Sequence, residues 1–171
     1  MEVQDVINNK NDREFILNAV KNNGKFLEYA SEELKDDKQI VMLALQQDAE
    51  ALEFASKRLK NDKEILMLGI KGAPWTICYA SDKLKSDREL IYNSCKSYGQ
   101  ALYFASEDLR DDREVVKAAV QNKGIIIKYA SKRLQNDKEL AQIAVTQNKQ
   151  AYHFISTELK QDEDIKNLIQ K

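Results

Sequence analysis

Apolar and polar residues recur along this chain with a period of 25 residues. An aspartate keeps this step at Asp12, Asp37, Asp62, Asp87, Asp112, Asp137 and Asp162. A serine keeps the same step at Ser31, Ser56, Ser81, Ser106, Ser131 and Ser156, and each serine is preceded by an aromatic residue and followed by a leucine at constant spacing. A fixed period of this length is the sequence signature of a repeat architecture.

Each repeat unit predicts two short helices. The aspartate is followed by a cation and usually by a glutamate, which is typical of a helix start because the aspartate caps free backbone N–H groups. In the fifth unit, the apolar residues from Val115 to Val120 then fall on one face of helix A. A break at Gly124 follows, as at Gly24 and at Gly72–Pro74, and indicates a helix end. Helix B then presents a second apolar stripe.

Neither helix, at about ten residues, is stable alone in water, so neighbouring units must cover its apolar face. This predicts an all-α fold, an α-solenoid of six two-helix repeats with a continuous core. The six predicted repeats are residues 12–36, 37–61, 62–86, 87–111, 112–136 and 137–161. Residues 1–11, with Val3, Val6 and Ile7 on one amphipathic turn, and residues 162–171, a lone helix A, are predicted capping helices. With both caps present, we expect the array to be complete.

The segment Phe104–Val120 contains the most regular form of the unit: aromatic-Ala-Ser, a leucine, then aspartate-cation-glutamate and an apolar helix. It resembles the unit of an uncharacterised microbial repeat family that is classed as a domain of unknown function. The resemblance covers residues 12–161 and implies no activity. The sixth unit departs from the pattern with Ile155 where alanine is usual, which predicts looser packing near the C-terminal cap.

Composition excludes several other classes of protein. Hydrophobic residues make up 43% and charged residues 32% of the chain, as in a packed protein. Five glycines and one proline are too few turn formers for a many-stranded β fold. Apolar runs such as residues 40–45 are far shorter than the roughly 20 residues of a membrane helix. Two cysteines and no apolar signal region predict a reducing, cytoplasmic setting.

Charge is balanced overall, since 27 Lys and Arg face 28 Asp and Glu, so no global field draws the protein to nucleic acid. Cations nevertheless recur at two positions of the repeat. The first is occupied by Arg13, Lys38, Lys63, Arg88, Arg113 and Lys138, and the second by Lys35, Lys60, Lys85, Arg110 and Lys160. Phosphate or nucleic-acid binding along this Lys/Arg edge is one alternative function. Neighbouring acids neutralise the edge locally, so we do not expect a nucleic-acid partner.

Catalytic chemistry is hard to place in this sequence. A residue present in every unit is best explained by folding, so the serines and aspartates are predicted to be helix caps. His153 falls on a predicted solvated face, and Cys95 falls in an apolar core column with Val120 and Val145. No glycine-rich phosphate loop, paired-cysteine motif or His-Glu-x-x-His motif occurs. We therefore expect no enzyme activity, no cofactor and no metal site.

The middle repeats break the polar pattern on the outer face of helix B. Trp75, Cys78, Tyr103 and Ile125 occupy positions that hold Lys or Glu in the first two repeats, and Tyr98 in a neighbouring break extends the set. Because exposed Trp and Tyr dominate binding hot spots, we predict a non-catalytic protein–protein interaction scaffold that binds through these residues. The alternative is that Trp75 merely folds over Pro74.

Helix A offers a second candidate surface. One position holds Leu17, Met42, Met67 and Tyr92 in the first four units. These side chains are candidates for self-association as a structural protein or homodimer, or else for ordinary core packing. We expect a monomer with a protein or peptide partner of unknown identity.

Overall fold

The structure, a computed structural model, describes residues 1–170. Two compact units divide the chain: unit one is Met1–Leu84 and unit two begins at Lys85. The described residues form helices and no strands, which confirms the predicted all-α helical-repeat fold. None of the helices within residues 1–170 has both the length and the apolar character that crossing a membrane requires.

Every repeat begins with a ten-residue α-helix, which we call its long helix. The long helices are Arg13–Asn22, Lys38–Gln47, Lys63–Gly72, Arg88–Ser97, Arg113–Asn122 and Lys138–Gln147. All seven recurring aspartates accept a hydrogen bond from a backbone N–H in the first turn that follows them. The predicted capping role of these aspartates therefore explains where each long helix starts.

The predicted helix B is not one helix but two shorter pieces. The first piece is mostly a 3-10 helix: Gly24–Tyr29, Ala49–Phe54, Pro74–Tyr79, the α-helical turn Ala101–Phe104, Gly124–Tyr129 and Lys149–His153. The second is a single turn, which we call the short helix: Glu32–Lys35, Lys57–Lys60, Asp82–Lys85, Glu107–Arg110, Lys132–Gln135 and the 3-10 turn Leu159–Gln161.

The interruption occurs at the Ala-Ser pair, where the backbone is extended. The N–H of Ser31 donates to the carbonyl of Lys10 at 2.9 Å, and that of Ser131 donates to Arg110 at 2.9 Å. A continuous helix would use these N–H groups internally, so the bond to the preceding segment breaks helix B in two. The serine hydroxyl then caps the short helix, as Ser31 Oγ does for the N–H of Leu34, although Ser106 makes no such bond.

Within each unit, the core lies between the long helices and the 3-10 helices of successive repeats. The recurring leucines are buried, and Cys95 is fully buried on its long helix as predicted. The predicted C-terminal helix is present as Glu163–Gln170, with Ile165 buried, while Lys171 lies outside the described residues. The N-terminal helix Val3–Asn8 buries only Val6 of the three apolar residues predicted to cover the first repeat.

Gly24 and Gly124 allow close packing and do not form left-handed helix ends, since none of the glycines within residues 1–170 has a positive φ. A Cβ at Gly24 would overlap the carbonyl oxygen of Ala44, and one at Gly124 would overlap that of Ala144. The long helices do end near the predicted breaks. Close approach to the next repeat, however, is what requires glycine here.

Candidate functional site

The first cation position of the repeat forms ion pairs between successive repeats. Arg13 Nε lies 2.7 Å from Asp37, Lys38 Nζ 2.7 Å from Asp62, and Arg88 Nε 2.7 Å from Asp112. Arg113 and Lys138 make the same contact with Asp137 and Asp162. We call these pairs the ladder. Each of these five aspartates thus bonds its own helix and a cation of the preceding repeat, so these cations of the Lys/Arg edge already have structural partners.

The ladder perturbs the acids that form it. Hydrogen bonds from Lys38 and Arg88 lower the pKa of Asp62 and Asp112 below the ordinary value of 3.8. Lys138 lowers the pKa of Asp162 in the same way. The cations therefore favour the charged form of each cap.

A second row of contacts joins the short helices within each unit. The carboxylate of Asp36 accepts from Ser56 Oγ and Arg58 Nε, and Asp111 accepts from Ser131 Oγ and Arg133 Nε. Hydrogen bonds from Ser56 and then Arg58 lower the pKa of Asp36. The carboxylate pairs at 36–37 and 111–112 thus have separate structural partners.

Trp75 and Cys78 lie on the 3-10 helix Pro74–Tyr79 of unit one. Thr76 and Ile77 of that helix are fully buried, whereas Trp75 is 48% exposed and Cys78 is half-buried. A cleft of about 310 Å³ adjoins the indole and includes Asp48 and Glu50 in its lining. Trp75 is therefore an exposed aromatic residue at the edge of a polar cleft.

The other predicted partner-binding residues lie in unit two. Tyr98 is half-buried at the end of the long helix Arg88–Ser97, and Ile125 is half-buried in the 3-10 helix Gly124–Tyr129. Tyr103 is 54% exposed, and its ring centroid lies 4.9 Å from those of Phe104 and Tyr129. The structure thus places Tyr103 in an aromatic cluster that our sequence analysis did not identify.

This aromatic cluster continues toward the sixth repeat. Lys128 Nζ lies over the ring of Tyr129 at 4.7 Å and over that of Phe154 at 5.8 Å. The aromatic preceding the serine is only partly buried in every repeat, and Phe154 is 36% exposed. The recurrence of these aromatic residues can be recognised in the sequence, but how much of each ring is exposed depends on how the repeats stack.

A groove of about 580 Å³ lies beside Phe154. Its lining includes Lys128, Lys132, His153, Phe154, Glu158 and Lys160. Lys160 Nζ donates to the carbonyl of His153 at 2.9 Å, and Lys132 Nζ donates to Gln135 Oε1 at 3.0 Å. His153 is exposed, as predicted, but its place beside three lysines was not foreseen.

The Cys95 thiol and the side chains that could ligate a metal differ from the surface groups above. Burial raises the pKa of Cys95 to about 12, so this thiol is a poor nucleophile near neutral pH. Within residues 1–170, no group of three or more His, Cys, Asp or Glu side chains is placed to hold a metal ion.

The candidate self-association residues differ in exposure. Met67 is 53% exposed, whereas Leu17, Met42 and Tyr92 are half-buried. Lys96 Nζ lies over the Tyr92 ring at 5.6 Å. Only one of the four side chains therefore presents a largely exposed apolar surface.

Four segments of the chain, residues 12–60, 37–85, 62–110 and 112–160, match a domain of unknown function, DUF4116. The chain belongs to the DUF4116 family. Each matched segment spans about two of the 25-residue repeats, and successive segments are offset by one or two repeats. No curated protein and no solved structure matches the chain. The DUF4116 assignment therefore agrees with the repeat fold and names no reaction or partner.

Proposed function

We propose that this DUF4116 protein is a non-catalytic protein–protein interaction scaffold. The observation that carries the proposal is the exposure of Trp75, at 48%, beside a cleft. Tryptophan loses much of its favourable burial energy in such a position, and it is among the commonest binding hot spots. Helical repeat proteins commonly bind partners along the surface that successive repeats present.

Tyr103 supports the same proposal from unit two. Its ring rests on Phe104 and Tyr129 but remains 54% exposed. A ring held by neighbouring rings loses little conformational entropy when a partner covers it. We therefore assign Trp75 as the anchor in unit one, with half-buried Cys78 on the same 3-10 helix. In unit two we assign Tyr103 as the anchor, and Tyr98 and Ile125 are the half-buried candidates of that unit.

The proposal is tested by quantitative capture of partners on the full chain and its variants. We expect Trp75→Ala and Tyr103→Ala each to weaken capture by an amount equivalent to about 2 kcal/mol. Gln150→Ala and Glu28→Ala are matched controls, because Gln150 and Glu28 occupy the repeat positions of Trp75 and Tyr103. Both control residues are exposed. Equal loss in anchor and control variants would refute the assignment of these anchors.

Self-association is a second candidate, favoured by the exposure of Met67. Sedimentation equilibrium of the chain separates the two proposals. A mass that rises with concentration and returns to the monomer value in Met67→Lys supports self-association. A monomer mass at every concentration supports the scaffold proposal, with its partner a different protein.

A further inference from the structure

The groove beside Phe154 differs from the ladder in how its cations are used. In the ladder, Lys38 Nζ contacts Asp62 at 2.7 Å and Glu64 at 2.8 Å. By contrast, Lys128, Lys132 and Lys160 form no ion pair with any residue in the 1–170 range. These three ammonium groups share the groove with one carboxylate, that of Glu158. The groove therefore has uncompensated positive charge.

The lysines are also held in place by neutral partners. Lys160 is tied to the His153 carbonyl, Lys132 to Gln135, and Lys128 lies over two rings. An ammonium group has three N–H donors, so each retains donors for an incoming anion. Phe154 supplies an exposed apolar surface beside them.

We propose that this groove binds an acidic peptide segment, in which carboxylates flank an apolar side chain. The carboxylates pair with Lys128 and Lys132, and the apolar side chain packs against Phe154. The inference rests on the proposed function, because it names the chemistry of a partner that a scaffold would bind. Charge complementarity identifies the class of partner.

Two observations favour an acidic peptide over single-stranded nucleic acid. Binding of single strands uses open ring faces on which bases stack. Lys128 Nζ lies over the rings of both Tyr129 and Phe154, which leaves less open ring face than a stacked base needs, whereas a smaller apolar side chain can still contact the exposed part of Phe154. In addition, Glu158 stands in the groove, where it would repel a continuous phosphate backbone. A peptide can place its carboxylates by side-chain choice and avoid this repulsion.

The test is fluorescence anisotropy with a labelled peptide of about ten residues, in which glutamates flank a central leucine-phenylalanine pair. The protein is the full chain. The repeats themselves supply suitable variants. Glu107 occupies the position of Lys132 in the fourth repeat, and Glu53 occupies the position of Lys128 in the second. The fold therefore accommodates Lys128→Glu and Lys132→Glu.

We expect the double variant Lys128→Glu/Lys132→Glu to lower the affinity for this peptide at least tenfold. Lys57→Glu is the matched control for Lys132→Glu, because Lys57 occupies the position of Lys132 in the second repeat and the two single changes alter the charge equally. It should leave affinity within twofold. Circular dichroism verifies that all variants are folded, and Lys132→Gln supplies a milder change whose smaller loss we also expect.

Four results would overturn the inference: no peptide binding, equal binding of the peptide with glutamine in place of glutamate, equal loss in Lys57→Glu, or tighter groove-dependent binding of an oligothymidylate. The last would assign the groove to nucleic acid. If the peptide does not bind but Trp75→Ala and Tyr103→Ala still weaken partner capture, the proposed scaffold function stands. If the peptide binds but neither Trp75→Ala nor Tyr103→Ala weakens partner capture, only the assignment of these two anchors is refuted.

Discussion

The two units differ in the contacts that join successive repeats. In unit two, side-chain amides bridge the repeats: the N–H of Gly99 donates to Asn122 Oδ1 at 2.8 Å, and Gln147 Nε2 donates to the Asn122 carbonyl at 3.2 Å. Between the second and third repeats, in unit one, the matching contact is apolar, because a Cβ added to Gly72 would lie only 2.7 Å from the Cβ of Ala49. The same repeat pattern thus allows either a hydrogen-bonded or an apolar contact between repeats, provided that the two facing residues are of matching type.

The clefts of the two units also differ in charge. The cleft beside Trp75 in unit one contains Asp48 and Glu50, and Lys25 Nζ lies 3.1 Å from Glu50. The groove in unit two contains three lysines and one glutamate. Positions that set the fold are nearly constant between the units, whereas positions that line clefts vary. The variable cleft positions are therefore the ones that distinguish the surfaces of the two units.

The largest effect on this comparison is expected for Gly124→Ala in unit two. The new Cβ would overlap the Ala144 carbonyl and lie 2.9 Å from Gln147 Oε1, so the repeats must separate. We expect a loss of about 2–3 kcal/mol in the free energy of unfolding, measured with urea. Ala49→Gly at the same position of unit one should cost only about 1 kcal/mol. A cost for Gly124→Ala no larger than that of Ala49→Gly would show that the close approach at Gly124 contributes little to stability.

Acid should weaken both units together, because each contains ladder aspartates. The pKa values of Asp62 and Asp112 are lowered in the folded chain, so these groups stabilise it above their unfolded pKa near 3.8. That contribution is lost as the pH falls below about 4 and the carboxylates take up protons. We expect the urea midpoint to fall over this range. Asp62→Asn should make the urea midpoint depend less strongly on pH over this range. An unchanged pH dependence in this variant would exclude the ladder as its cause.

Loss of an amide bridge should affect unit two alone. Gln147→Ala removes the partners of the Gly124 N–H and the Asn122 carbonyl. We expect a loss of about 1–2 kcal/mol in the free energy of unfolding. Gln47 occupies the same position in unit one and, like Gln147, is exposed, but its side chain makes no hydrogen bond within residues 1–170, so Gln47→Ala should cost under about 0.5 kcal/mol. A larger cost for Gln47→Ala would contradict the proposed difference in these contacts.

The smallest effect on stability is expected for Trp75→Ala. The indole is 48% exposed, while the core contact of its helix is made by Ile77, which is fully buried. We expect a loss under about 1 kcal/mol by urea denaturation. Ile77→Ala, by comparison, should cost about 2–4 kcal/mol. If Trp75→Ala cost as much as Ile77→Ala, the tryptophan would be a core residue and not a binding anchor.

Much of the fold could be predicted because its causes are local. The capping aspartates, the capping serines and the burial of Cys95 all follow from residue type and the 25-residue step. The division of helix B could not be predicted, because it depends on a hydrogen bond from Ser131 to Arg110 in the preceding repeat. The apolar stripe of helix B is compatible with one helix or two.

The candidate sites depend even more on packing. Sequence identified Trp75 and Tyr103 as unusual residues at outward positions, and both are largely exposed. It did not identify the cluster of Tyr103 with Tyr129, nor the groove at Phe154, because the groove residues are conventional at their own positions. Lys132, for example, stands where Lys57 stands in the second repeat.

By itself, the sequence determined the helical-repeat class, the starts of the long helices and the residues of the core, because capping and burial are properties of individual positions in a regular pattern. Only the tertiary structure decided which cations are neutralised and which remain available. The Lys38 ammonium meets Asp62 from a neighbouring repeat, while Lys128 meets two aromatic rings. The Lys38–Asp62 and Lys128–Phe154 contacts join residues that lie 20 or more positions apart in sequence, so the stacking of the repeats sets their distances.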